Sequence, residues 1–219
     1  FQQTGAYVYR LYRIAFGNNQ PFPNPNSDPA HPGEEKKWPL YASFMKDRAQ
    51  VRGGPQLSQM QFDLAKAFVG RSEFRAKYPY NFANPIPFID ALLNTINRDL
   101  GVNLSSQRTN LINLTVTGPE PGPAYVMYSL ALDKATERLD NRALLDAEYN
   151  RAFVFTQYAG YLRRDADIAG LLFWLEQVDS APLRDIARQH AMVCSFITSA
   201  EYQRRFSSTV TRNNTECPQ

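Results

Sequence analysis

Cysteine and histidine are scarce in this 219-residue chain: Cys194, Cys217, His31 and His190 are all there is of them. Structural metal sites draw four such ligands from short, regular spacings. These four are scattered, which argues against a zinc site. A nucleophile elbow of the Gly-x-Ser-x-Gly kind is missing, and neither cysteine has local catalytic flanks. Gly53-Gly54-Pro55 lacks the Lys and Ser/Thr of a phosphate-cradling loop and reads as a turn. No run approaches the roughly 18 consecutive apolar residues of a membrane span, so membrane insertion is not expected. Charge of one sign is not concentrated either. The 24 basic and 21 acidic residues leave a net charge of +3, with no basic run longer than doublets such as Lys36-Lys37 and Arg204-Arg205, and nucleic-acid binders gather Lys and Arg on one face. Nucleic acid, cofactors and catalysis are therefore not expected.

What is present is apolar and aromatic: 43% hydrophobic and 13% aromatic residues, enough for a chain this long to bury roughly 70% of its unfolded surface. An aromatic or aliphatic pair recurs at helical spacing in three places. These are Tyr7-Val8 with Leu11-Tyr12 and Ala15, Phe88-Ile89 with Leu92-Leu93 and Ile96, and Phe153-Val154 with Gln157-Tyr158 and Tyr161-Leu162. Each stripe predicts an amphipathic helix, and the stripes should face one another. A closing phrase also repeats: Phe68-Val69-Gly70-Arg71-Ser72-Glu73-Phe74 aligns with Phe196-Ile197-Thr198-Ser199-Ala200-Glu201-Tyr202, and Glu148-Tyr149 is a weaker copy. A tryptophan, Trp38 or Trp174, falls inside the first and third units. The pattern predicts an all-α, bundle-like array of divergent repeats with long Pro-rich loops. Its units span 1–74, 75–149 and 150–206, followed by a 207–219 tail. The chain lacks an initiator Met, which reads as a processed product or part of something longer, with any signal peptide upstream and Phe1 ending a further unit. Strand signals are nearly absent, and Leu111–Thr117 reads as the end of a helix and a loop. His190, in the stripe Leu183, Ile186, His190, Val193, Cys194, Ile197, reads as a core histidine.

Between units run proline-dense segments. Residues 17–39 hold Pro21, Pro23, Pro25, Pro29, Pro32 and Pro39, and residues 117–123 read Thr-Gly-Pro-Glu-Pro-Gly-Pro. Such density forbids helix and favours extended backbone. The 17–39 arm, with Phe22 and the Phe1 end, is the candidate contact surface; a passive insertion fits the same composition. Cys194 lies in a helical pattern and Cys217 in the polar tail. A disulfide between them would pin the tail to the body and imply an oxidising compartment, and two free thiols are the alternative. Asp165 and Asp167 invite a calcium reading, against which Asp167 as the cap of a helix starting at Ile168 is the simpler account. Glu73 and Glu201 suggest a glycosidase-like pair, but their equivalent places before an aromatic helix end fit a copied structural device. Asn103, Asn113 and Asn213 match the N-glycosylation pattern.

The third unit carries a resemblance. Phe153-Val154, Tyr158, Leu162-Arg163-Arg164-Asp165-Ala166-Asp167, Gly170, Phe173-Trp174 and Ser199-Ala200-Glu201-Tyr202 resemble the bacterial domain-of-unknown-function family 4214, with Ala166 where the family usually has proline. The match is specific for 150–206, looser for 1–74 and only in outline for 75–149. The resemblance implies an all-helical module, often in tandem copies, of secreted bacterial proteins without established catalytic activity. The phrase is also similar to the linker domains of phycobilisomes, which hold other proteins in an assembly. The expected function is a secreted structural or interaction protein that self-assembles as a homo-oligomer or polymer, a filament or surface layer; the alternative is a module binding extracellular glycan.

Overall fold

The protein was analysed as a computed structural model, which describes residues 1–117, 120–206 and 217. In chain order its α-helices are α1 (Gly5–Phe16), α2 (Tyr41–Arg48), α3 (Leu57–Val69), α4 (Ser72–Lys77), α5 (Ile86–Leu100), α6 (Arg108–Thr117), α7 (Pro123–Ala131), α8 (Arg142–Gln157), α9 (Ile168–Asp179), α10 (Ile186–Thr198) and α11 (Ala200–Phe206). Among the described residues, extended pairing is limited to isolated bridges, so the fold is all-α.

Helix α1 is buried at every residue. Its aromatic and aliphatic side chains point to all sides, as they must in a helix surrounded by others. Helices α2, α5, α7 and α8 pack against it. Helix α3 lies on α7, α6 joins α5 to α7, and α9 to α11 gather at the C-terminal end of α8 and the π-helical turn Tyr158–Leu162 that extends it. The three stripes thus meet around α1.

Two arginines inside α1 make a wholly buried helix costly unless every N–H finds a partner. Arg13 Nε donates to Glu148 Oε2 at 3.0 Å and its other nitrogens reach Glu148 Oε1 and the carbonyls of Gly17 and Lys37. Burial works against the Arg13 charge, the Glu148 carboxylate more than offsets it, and the pKa lies above its ordinary value. Arg10 donates to the Ala131 carbonyl and to Gln2, and burial pushes its guanidinium down to about 10, opposed by Asp133.

The stripe-bearing helices end alike. Gly17, Gly101 and Arg163 follow them with φ of 58°, 71° and 49°. At Gly17 only glycine fits, because a Cβ there would sit 2.1 Å from Asp99 Oδ2. The closing phrases also share a shape. Arg71 (φ −69°, ψ 148°) breaks α3 from α4, and the aligned Ser199 (φ −62°, ψ 146°) breaks α10 from α11. Tyr12 meets Phe68 edge-on at 5.1 Å, and the aligned Tyr158 meets Phe196 edge-on at 4.8 Å.

Several expectations need correction. Leu111–Thr117 is helical throughout, because Leu111, Leu114 and Thr115 fall on one buried face of α6 and that burial outweighs the β-branched residues' weak helix preference. Glu148-Tyr149 closes nothing: it lies in the middle of α8, where no breaker interrupts the helix. The expected limits at 74 and 149 fall inside α4 and α8. His190 is exposed, as are Leu183 (42%) and Ile186 (80%), so the first half of the stripe faces solvent rather than the core, while Val193 is half-buried against it. The face of α10 that packs inward instead carries Met192 and Phe196. The tail residues 207–216 and 218–219, with Asn213, lie outside the described residues.

The 17–39 arm folds back on its own chain. Gln20 and Asn24 donate backbone N–H groups to the carbonyls of Lys36 and Trp38, and Leu40 donates to Phe22. Trp38 is fully buried, and Asn24 and Gln20 nearly so. Dense proline removes donors from this segment; the few N–H groups that remain make the cross-links.

Candidate functional site

The turn Arg163–Asp167 is built by helix ends. Asp167 is the N-cap of α9, its Oδ2 accepting from the Gly170 N–H at 3.0 Å. Asp165 caps a different helix: its Oδ1 accepts the Tyr41 N–H at 2.6 Å, where α2 has no cap of its own. Both carboxylates of the Asp-x-Asp pair are thereby held by backbone donors. Arg164 grips Glu201 with two bonds, 2.7 and 2.9 Å, and reaches Asp167 at 3.1 Å. That guanidinium holds the Glu201 carboxyl below the usual carboxylate range. Arg163 lies over the Phe206 ring. The carbonyl of Ala166 accepts from Asn24 and Asn26 and so fastens the 17–39 arm to this turn.

Cys194 and Cys217 form a disulfide, with Cα atoms 5.2 Å apart, inside the ordinary range. His190 Nε2 lies 3.5 Å from Cys194 Sγ, and the three side chains form the ligand-like cluster of this region. With both sulfurs bonded to each other, no thiolate is available to coordinate an ion. The bridge spans a sequence separation of 23, so opening it is expected to lower the unfolding free energy by about 3 kcal/mol. Urea unfolding of the oxidised protein, the reduced protein and a Cys194→Ala/Cys217→Ala variant measures this; the last two should coincide.

The proposed contact residues remain at the surface. Phe22, Pro23, Pro25, Pro29 and Pro32 are exposed and Pro21 half-buried. Phe1 is 45% exposed but packs edge-on against Tyr149 and Phe153 of its own α8. Asn103 is exposed, with its Oδ1 accepting the Ser105 N–H, and Asn113 is exposed on α6. Two further apolar groups are displayed: Phe82, Ile86 and Val116 near α5 and α6, and Phe173, Leu183 and Ile186 on and beside α9 and α10. Among the described residues no helix is long and apolar enough to cross a membrane.

A cleft missing from the sequence reading opens between α3, α7 and the 132–138 loop. It holds about 450 Å³ and is lined by Ser58 and Gln61 of α3, Tyr125 and Tyr128 of α7, and Asp133 and Glu137 of the loop, among others. The tyrosines sit side by side, ring centres 5.9 Å apart and planes 30° from each other, both half-buried. Phe62 meets both edge to face, at 6.0 and 5.6 Å. Burial raises the Tyr128 hydroxyl above its ordinary pKa, opposed by a hydrogen bond with Ser58. Asn141, fully buried, donates to the carbonyls of Ser129, Leu130 and Leu132 and so fixes the loop to the end of α7. The one sequence signal for this site is the Tyr125/Tyr128 spacing, which reads equally as a core stripe; the cleft's other wall comes from α3, far away in the chain.

No curated protein and no solved structure matches the chain. The region from α8 to α11, which contains the capped turn, the Arg164–Glu201 pair and the exposed face of α10, does have a counterpart: residues 144–206 match the family described as Domain of unknown function (DUF4214).

Proposed function

We propose that this protein is a non-enzymatic interaction protein of an oxidising, extracytoplasmic compartment that associates with copies of itself into a filament or surface layer. The observation that carries this reading is the apolar display on the family-matching region: Phe173, Leu183 and Ile186 are 51%, 42% and 80% exposed. Large apolar side chains exposed within one short region of the chain are candidates for an interaction site. A contact of this kind that does not close on itself propagates into a filament. The disulfide supports the compartment. The carboxylates most suggestive of chemistry are committed elsewhere, Asp165 and Asp167 to helix ends and Glu201 to Arg164.

Tandem descent of the first and third units belongs to the same proposal. Its support is the shared backbone break at Arg71 and Ser199 and the matched Tyr–Phe contacts. Modules that display similar faces suit an assembly role, as in the phycobilisome linkers that the third unit resembles.

Light scattering after size exclusion, over a rising concentration series and with negative-stain electron microscopy of the same fractions, tests the reading. The expected result is a mass that grows above 25.0 kDa, regular particles at the high end, and a Leu183→Asp/Ile186→Asp variant that stays at single-chain mass. A single-chain mass at every concentration would overturn the proposal.

A further inference from the structure

We propose that the cleft between α3, α7 and the 132–138 loop is a binding site for a neutral carbohydrate. Its volume of about 450 Å³ falls within the roughly 300–1,000 Å³ of small-molecule sites. Three features of its walls select the ligand class.

The first is the aromatic surface. Tyr125 and Tyr128 are neighbours on one face of α7, tilted by 30° rather than stacked on each other, so each ring keeps a face that the other does not cover. Aromatic faces carry a negative quadrupole that favours the polarised C–H groups of a sugar ring. Phe62 packs edge to face with both and Tyr7 with Tyr128, so little side-chain freedom is lost on binding.

The second is charge balance. The acids Asp133 and Glu137 and the bases Lys134 and Arg138 lie together on the loop that forms one rim. An anionic or cationic ligand would meet as much repulsion as attraction, whereas a neutral ligand rich in hydroxyls can use donors and acceptors of both signs. Ser58, the Tyr128 hydroxyl and the amide of Gln61 add uncharged partners. Gln61 is nearly buried, and its Nε2 donates to the Gln3 carbonyl, which fixes its orientation toward the cleft.

The third is rigidity. The loop carrying the four charged groups is pinned at one end by the three Asn141 bonds and crossed by the Thr136–Leu139 bridge. A preformed wall keeps the ordering cost of binding small.

Isothermal titration of the intact single-chain protein with cellohexaose, maltohexaose and chitohexaose, and with choline and a heparin fragment as charged controls, tests the site. The expected result is saturable binding of at least one neutral oligosaccharide, weakened about tenfold or more by Tyr128→Ala and Tyr125→Ala and retained by Tyr125→Phe. Should either alanine variant fail to fold by circular dichroism, the surface change Glu137→Ala replaces it, and the same weakening is expected. Binding of none of the neutral sugars, binding untouched by these variants, or binding confined to choline or heparin would each overturn the assignment. The Leu183→Asp/Ile186→Asp variant is expected to bind sugar as the parent does, so failure here and failure of self-association are separate results.

Discussion

A Glu148→Ala protein is expected to be less stable than the parent by about 3–5 kcal/mol, the cost of leaving one charge of a buried pair without its partner. Arg13 and Glu148 are 1% and 2% exposed, so water cannot substitute for the lost carboxylate, and among the described residues no other acid is bonded to Arg13. The remaining partners of its guanidinium are uncharged oxygens, those of Gly17, Asn18 and Lys37. The loss should also spread, because the same guanidinium joins α1 to α8 and to the end of the 17–39 arm. A paired Arg13→Met/Glu148→Leu variant removes both charges at similar volume and is expected to recover most of the stability. Urea unfolding with an unchanged denaturant dependence would establish both values. A single variant as stable as the parent would show that the pair is not what holds these elements together.

Trp38→Ala is expected to cost a similar amount, about 3–5 kcal/mol, with an additional consequence for the arm. Trp38 is fully buried, its ring parallel to Phe155 at 6.3 Å, near Tyr9, and beneath the Arg151 guanidinium at 5.4 Å. It is the deep anchor of a segment whose polar fastenings include the Asn24 and Asn26 amides to Ala166 and the Arg13 guanidinium to Lys37. Limited proteolysis is therefore expected to cut the Trp38→Ala protein between residues 17 and 39 much faster than the parent, while Trp38→Phe behaves nearer to the parent. Equal cleavage of all three would mean that the arm is held by its polar contacts alone.

The two residues differ in how they could be read. Trp38 sits in a proline-rich segment where composition speaks for exposed, extended backbone, and the composition does describe the exposed prolines. It does not describe the one large side chain that goes the other way, because the void that Trp38 fills is made by Tyr9 of α1 and Phe155 of α8, neither near it in the chain. Glu148 likewise read as part of a weak repeat phrase. Its role depends on Arg13, 135 residues away, and no periodicity links the two.

His190 shows the limit of a stripe. Its spacing with Leu183, Ile186 and Cys194 is that of an inward face, yet the side of α10 carrying Met192 and Phe196 meets the core. Helical periodicity identifies faces; which one is covered depends on where the neighbouring helices lie. The cleft at Tyr125 and Tyr128 has no local signature for the same reason, since one of its walls belongs to α3.

Local patterns in the amino-acid sequence by themselves determined the helical class, the three stripes that converge on α1, the Asp167 cap and the likeness of the last helices to a known family. Each of these is set by residues within a turn or two of one another, where spacing, capping and backbone preference act directly. Tertiary structure alone decided the partner of Arg13, the seat of Trp38, the second cap supplied by Asp165 and the cleft on α7. Those depend on which distant groups share a space from which water is excluded, and exclusion of water is what turns a charge or a ring from a surface decoration into a fixed contact.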